Sequence, residues 1–156
     1  MVKKIDELKY PPLENHVGVR LWRLSEIWKK AFDREMVQLG YPYFADARSN
    51  ILRHVAPNGT AQAMIVKRMG LSKQAVQQLI DDLVKDGVIA KKPDPVDGRS
   101  NIIGLTQAGL AALHDANVVK RKIEQKFAKL VGQVKLSQLN DILDELAEGN
   151  SKSDEQ

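Results

Sequence analysis

The segment LSKQAVQQLIDDLVKDGVIAKKPDPVDGRSNIIGLT, residues 71–106, most constrains what this chain can fold into. Val76, Leu79, Ile80 and Leu83 recur at helical spacing and make one apolar stripe. Ser72 precedes that run, where a hydroxyl caps a helix, and Gly87 follows it, where a helix stops. Val88-Ile89-Ala90 reads as the start of a strand. Pro93-Asp94-Pro95-Val96-Asp97-Gly98 is turn chemistry, with Asp-Gly the sharpest hairpin signal in the chain. Asn101 to Leu105 reads as the returning strand. A capped helix, a stop and a charged hairpin in this order are the layout of a winged helix-turn-helix.

The surroundings are helical. Residues 1–12 read as an arm ending at Pro11-Pro12. A first long helix is expected over about 13–39, with Val17, Leu21, Leu24, Ile27, Trp28, Ala31, Phe32 and Leu39 at helical spacing and Gly40-Tyr41-Pro42 as its end. A second is expected over about 44–56, before the Pro57-Asn58-Gly59 turn. A third, about 60–69, has Thr60 as its expected cap and Gly70 as its stop. It meets the Ser72 helix, about 72–86, across a Gly-Leu-Ser turn. A fifth helix, capped by Thr106, is expected over about 106–133. A sixth begins near Ser137 and ends at Gly149, and the tail 149–156 reads as disordered. The fold class is therefore mostly α with a small β-hairpin wing.

Composition narrows the function. The 156 residues are 43% hydrophobic but only 5% aromatic, so one aliphatic core is expected. Absence of cysteine excludes disulfides, cysteine-zinc sites and thiol switches. No apolar run is long enough to span a bilayer, and the first residues lack a signal peptide's apolar stretch, so no membrane partner and a cytoplasmic protein are expected. The net charge of +4 is unevenly spread: residues 1–59 carry +3, 60–105 carry +2 and 106–156 carry −1. An excess in the first two thirds suits a partner that is polyanionic.

On the Ser72 helix, Ser72, Lys73, Gln74, Gln77 and Gln78 lie on or near the face opposite the apolar stripe. Its acids, Asp81, Asp82 and Asp86, are confined to the C-terminal half. A helix that reads a major groove points its first turns at base edges, where carboxylates would be repelled by phosphate. Gln pairs with adenine, and Lys serves guanine or phosphate. A solvated face rich in Lys and Gln would look the same in isolation; the attached wing favours a reading surface. On the wing, Lys91 and Lys92 lead in and Arg99 leaves the tip. An Arg there suits a narrow minor groove. Asp97 is expected to hold that Arg through a charge-assisted bond. The expected DNA-binding set is Ser72, Lys73, Gln74, Gln77, Gln78, Lys92, Asp97 and Arg99.

At these residues the chain resembles the MarR family, regulators named for multiple antibiotic resistance. The family's pattern has a turn Gly, a Ser opening the recognition helix, a Leu-x-x-x-Gly-Leu/Val-Ile exit, an Asp-x-Arg wing and a Leu-Thr-x-x-Gly start to the next helix. Gly70, Ser72, Leu83 to Ile89, Asp97-Gly98-Arg99 and Leu105 to Gly109 match it in order. Val66 departs from it, standing where a small residue is usual. The resemblance implies a homodimeric regulator, a repressor on palindromic double-stranded DNA, with residues 13–44 and 106–148 as dimerisation helices around a 45–105 DNA-binding lobe in one structural domain. Both ends carry amphipathic helices that one small lobe cannot fully cover, although packing of the two ends within one chain would also use those faces. The resemblance further implies a small aromatic or anionic effector near the first, second and fifth helices. Arg23, Trp28 and Tyr43 are the candidates there, in a stretch that holds both Trp. Aromatic core packing is the competing account of those rings.

No catalytic constellation is present. His16, His54 and His114 fall in three different expected helices, and no phosphate-binding glycine motif or nucleophile elbow occurs. Neither enzyme activity, a metal nor a cofactor is expected. The rival to a DNA-binding regulator is a winged-helix module that binds protein partners and has no DNA affinity.

Overall fold

The computed structural model describes residues 16–151. The expected arm, residues 1–12, and most of the expected tail, residues 152–156, lie outside the described residues. Six helices and three strands follow in the order α1 (Val17–Gln38), a 3-10 turn (Pro42–Ala45), α2 (Ser49–Leu52), β1 (Thr60–Ala61), α3 (Gln62–Met69), α4 (Lys73–Lys85), β2 (Ile89–Pro93), β3 (Asn101–Leu105), α5 (Gln107–Val131) and α6 (Gln133–Ser151). The mostly helical class with a hairpin wing is what forms. No helix among the described residues is long and apolar enough to cross a membrane.

Local chemistry explains most boundaries. His16 caps α1, its Nδ1 accepting from the Gly18 N–H at 3.2 Å. Ser72 caps α4, its Oγ accepting from the Ala75 N–H at 3.2 Å. Gly70 ends α3 at φ 62°, a left-handed turn that a side chain would strain. Thr106 accepts from the Gly109 N–H at 3.0 Å and donates to the Gly87 carbonyl at 2.6 Å. One hydroxyl thus starts α5 and ties it to the α4–β2 junction. Gly109 is needed beside it: a Cβ there would stand 2.1 Å from the Val88 carbonyl oxygen.

Four expectations are corrected. The second helix is a 3-10 turn and a single turn of α2, not one helix over 44–56. Tyr43 and Phe44 are buried in that turn, and Ile51 and Leu52 in α2, so core packing is met by two short pieces. Thr60 is not a helix cap. It pairs with Ile103 in a strand, and its Oγ1 accepts from the Ala56 N–H at 2.9 Å. The sheet therefore has three antiparallel strands in the order β1-β3-β2, where the sequence suggested a hairpin alone. The last helix begins at Gln133, directly after Gly132, and continues through Gly149 to Ser151, so it neither starts near Ser137 nor ends at Gly149.

The core joins Phe32 and Met36 of α1 to Ile65, Val76, Ile80 and Leu83 of the helix pair, Ile103 of β3, and Ala112, Val119 and Ile123 of α5. Full burial of one such aliphatic side chain is worth about 1.5–3 kcal/mol. The packing fixes α4 by its stripe and leaves its other face outward. Register does the same for the wing: Ile89 pairs with Leu105 and Pro93 with Asn101, so the strands run out to an exposed tip.

Candidate nucleic-acid interface

The outward face of α4 carries Ser72, Lys73, Gln74 and Gln78 exposed, with Gln77 half-buried. Val76, Ile80 and Leu83 lie fully buried behind them. No acid lies in its first turn. Four unpaired N–H groups at a helix start attract anions. Ser72 satisfies one of them, so its hydroxyl is engaged as a cap.

The wing tip is held by backbone chemistry. Asp94 accepts from the Val96 N–H at 2.8 Å and from the Ser100 hydroxyl at 3.2 Å. These bonds hold the Asp94 carboxyl below its usual range, the Val96 N–H foremost. Asp97 accepts the backbone N–H of Arg99 at 3.0 Å. Among the described residues no ion pair joins Asp97 to the Arg99 guanidinium. The expected side-chain brace is thus replaced by a turn-closing bond, because the Asp-Gly turn directs the carboxylate at the N–H two residues on.

A cleft of about 350 Å³ lies where α3, α4 and the returning side of the wing tip converge. Lys73, Gln77 and Arg99 line it together, with Gln62, Ser100 and Asn101. Lys92 lies apart, in a smaller hollow beside Asn58 and Gly59. Gln74, Gln78 and Asp97 line neither. Val66, the departure from the family's pattern, stands on the cleft wall with Ala63.

From the cleft wall a hydrogen-bond chain runs outward to the surface of α4, and no pattern in the sequence announces it. Gln77 Nε2 donates to both carboxylate oxygens of Asp81 at 3.0 Å. Lys91 of β2 donates to the same carboxylate, and the Gln62 amide nitrogen donates to Gln77 Oε1. Lys91, with help from Gln77, holds the Asp81 carboxyl below its usual range. Gln62 is only 9% exposed, and its Oε1 is buried with no hydrogen-bond partner among the described residues. The available signal was a Gln three residues before Ile65 and seven before Met69, a polar residue on an apolar stripe. Arg48 is a second such case. Its guanidinium pairs with Asp46 at 2.7 Å and with Asp86 at the end of α4. The Arg48 hydrogen bond holds the Asp46 carboxyl below its usual range.

The candidate effector residues separate. Trp28 stacks on Phe32 with ring centroids 5.1 Å apart, and both line a cavity of about 210 Å³ between α1, α2 and α5. Phe44, Lys29, Arg53 and Lys120 complete much of its wall. Arg23 is exposed on α1 and lines no described cavity. Tyr43 is buried beside Phe44, and burial pushes its phenol up to about 12. Its neighbour Tyr41 donates to Asp115 at 2.7 Å, a bond that raises its own phenol. Among the described residues no cluster of His, Asp or Glu could hold a metal.

Residues 45–100 match the family model described as MarR family. No curated protein matches the sequence. Among solved structures, the chain is similar to the transcriptional repressor CouR from Rhodococcus jostii RHA1, bound to a 23-mer DNA duplex. The two are 24% identical at a TM-score of 0.69, covering 90% of this chain and 99% of that one. It is similar to the transcriptional regulator Tm0710 from Thermotoga maritima, at 20% identity and a TM-score of 0.68, over 89% of this chain and 96% of that one. It is also similar to the PcaV transcriptional regulator from Streptomyces coelicolor in complex with its natural ligand, at 23% identity and a TM-score of 0.62, over 89% and 96% of the two chains. At such identities the likeness carries the fold. The match to the MarR family model is confined to residues 45–100, and over most of its length the chain shares the fold of the transcriptional regulators it is similar to.

Proposed function

We propose that this protein is a sequence-specific, homodimeric transcriptional repressor of a palindromic operator, released by a small aromatic or anionic ligand. The observation that carries the reading is the shared cleft. Lys73 from the first turn of α4 and Arg99 from the wing face one hollow, on a surface whose nearest helix turn has no acid. Two cations from different elements, flanked by exposed Gln74 and Gln78, suit a phosphate backbone with base edges beyond it. CouR bound to a DNA duplex has the same fold, which supports this use of it. Ser72 is assigned a capping role, Lys73 a backbone contact, Arg99 the minor groove and its flanking phosphate, Gln74, Gln77 and Gln78 base readout, and Lys92 a neighbouring phosphate. Asp97 shapes the tip that carries Arg99.

The second copy is assigned to α1 and α6, which leave Leu21, Trp22, Ile27, Ile142 and Leu146 exposed. The effector is assigned to the cavity between α1, α2 and α5. Trp28 and Phe32 offer rings, and Lys120 or Arg53, rather than the remote Arg23, offers the cation. PcaV with its natural ligand and CouR with p-coumaroyl-CoA support a ligand-responsive reading. Binding of duplex DNA across a salt series tests the core of it. A slope near −0.9 for each phosphate neutralised is expected. Salt-independent or absent binding by folded protein rejects it in favour of a protein-binding module.

A further inference from the structure

The chain Gln62–Gln77–Asp81–Lys91 has a fixed polarity. A carboxylate only accepts, so the group that Gln77 turns to Asp81 is its NH2. Its carbonyl is therefore turned to α3, where the Gln62 NH2 meets it. Gln62 cannot reverse without setting carbonyl against carbonyl, and its own oxygen is left buried and unpartnered. Lys91 holds the far end by pairing with Asp81 from the sheet. Three elements thus set the direction of one amide on the recognition helix.

We propose that Gln62 is a positioning residue for base readout: from beneath α4 it orients the Gln77 amide, and so sets base preference at one operator position without touching DNA. The inference rests on the DNA-binding reading above. An amide has two N–H donors and two carbonyl lone pairs. Equal distances to the two Asp81 oxygens are the pattern of one shared N–H. Gln62 occupies one lone pair. One N–H and one lone pair stay available in a fixed order, the complement of adenine N6 and N7. Gln62 is too buried to reach a base edge, so its effect passes through Gln77.

The test is selection of bound duplexes from a random-sequence pool by the full chain, wild type against Gln62→Met, Gln77→Ala, the double variant and Asp81→Asn. Met keeps the length of Gln and buries no orphan carbonyl. Asp81→Asn loosens the same amide from the exposed end and needs no change in the core. Wild type is expected to prefer adenine at one position per half-site by about ten-fold. Gln62→Met and Asp81→Asn should flatten that same position, with the others intact. The double variant should match Gln77→Ala, because the two residues act as one. A merely structural role would weaken all sequences alike and leave preference unchanged; that result overturns the proposal, as does flattening by Gln62→Met in a Gln77→Ala background. If wild type enriches no sequence, the DNA-binding reading fails first. If it enriches sequences that Gln62→Met and Asp81→Asn enrich equally, only the relay fails.

Discussion

The apolar stripe of α4 and the apolar rows of the terminal helices α1 and α6 meet opposite fates. In α4, Val76, Ile80 and Leu83 are fully buried and the first turns present Lys, Gln and Ser outward; elsewhere in the lobe single apolar side chains such as Val96 at the wing tip stand exposed. On the terminal helices and the end of α5, Trp22 is 67% exposed, Leu130 79% and Val134 72%. Scattered apolar residues are ordinary on a surface, but a row of them along two helices marks a face that needs a partner. The α4 stripe closes on the core and the opposite face of that helix offers polar chemistry. The ends do not close on themselves. A groove of about 410 Å³ lined by Leu21, Leu24, Trp28, Phe127, Leu136, Leu139 and Leu143 runs between α1, α5 and α6.

The largest expected effect tests whether the ends are completed by a second copy. Truncation after Val134 removes nearly all of α6 and with it much of that groove. Sedimentation should show dimer affinity falling by more than a hundred-fold, since dimer interfaces depend on their buried apolar centre. A truncated dimer of unchanged affinity would break the comparison and leave α6 a helix that packs only within its own chain.

Next comes a pair of substitutions that separates the two regions. Ile80→Ala deletes a fully buried side chain, and chemical denaturation should show a loss of about 2–5 kcal/mol. Trp22→Ala removes a larger but exposed ring, and should cost the monomer well under about 1 kcal/mol while weakening the dimer. Equal folding costs would mean that α1 is as internal as α4.

The lobe was also far more legible than the ends of its segments. Ser72 and Thr106 cap helices through bonds to the N–H three residues on, and Gly87 marks a stop; such local chemistry stands in the sequence, while the bond from Thr106 back to Gly87 does not. The third strand did not, because Thr60 finds its partner in Ile103, far along the chain, and nothing near Thr60 announces the pairing. Thr60 looked like a cap because a Thr before a helix usually is one. The short α2 escaped for a similar reason: tertiary packing of Phe44 and Ile51 overrode the helical period. At the site, exposed Lys73, Gln74 and Arg99 were visible from spacing and turn type. Gln62, Arg48 and the Asp81–Lys91 pair were not, since each depends on which elements meet.

A moderate effect probes the polar side of the comparison. Arg99→Ala should weaken binding to all duplexes, most where the wing meets A·T-rich flanks, and reduce the salt slope by about one. Asp97→Asn should change affinity little, because an amide oxygen can accept the Arg99 N–H as the carboxylate does. Asp97→Ala should be the more harmful, since it leaves the tip without that bond. Wild-type affinity and slope for Arg99→Ala would remove the wing from the interface.

The smallest effect concerns the joint between the two regions. Tyr43 sits in the 3-10 turn after α1, buried against Phe44, with its phenol pushed up to about 12 from 10.0, mainly by burial and further by the neighbouring Tyr41. Burial disfavours the phenolate, so the folded state holds this proton at pH values where the unfolded chain has released it. The contribution is complete below pH 10 and is lost as pH rises through about 12. Tyr41, raised by its bond to Asp115, adds to the same alkaline limb. Tyr43→Phe has no proton to lose. Its stability should sit within about 1 kcal/mol of wild type at pH 7 and fall less steeply between pH 10 and 12. Denaturant midpoints across that window, with phenolate absorbance recorded alongside, give the comparison. Parallel alkaline limbs for the two proteins would mean that Tyr43 titrates as an exposed phenol, and that the joint is open to solvent and no part of the core shared by α1 and the lobe.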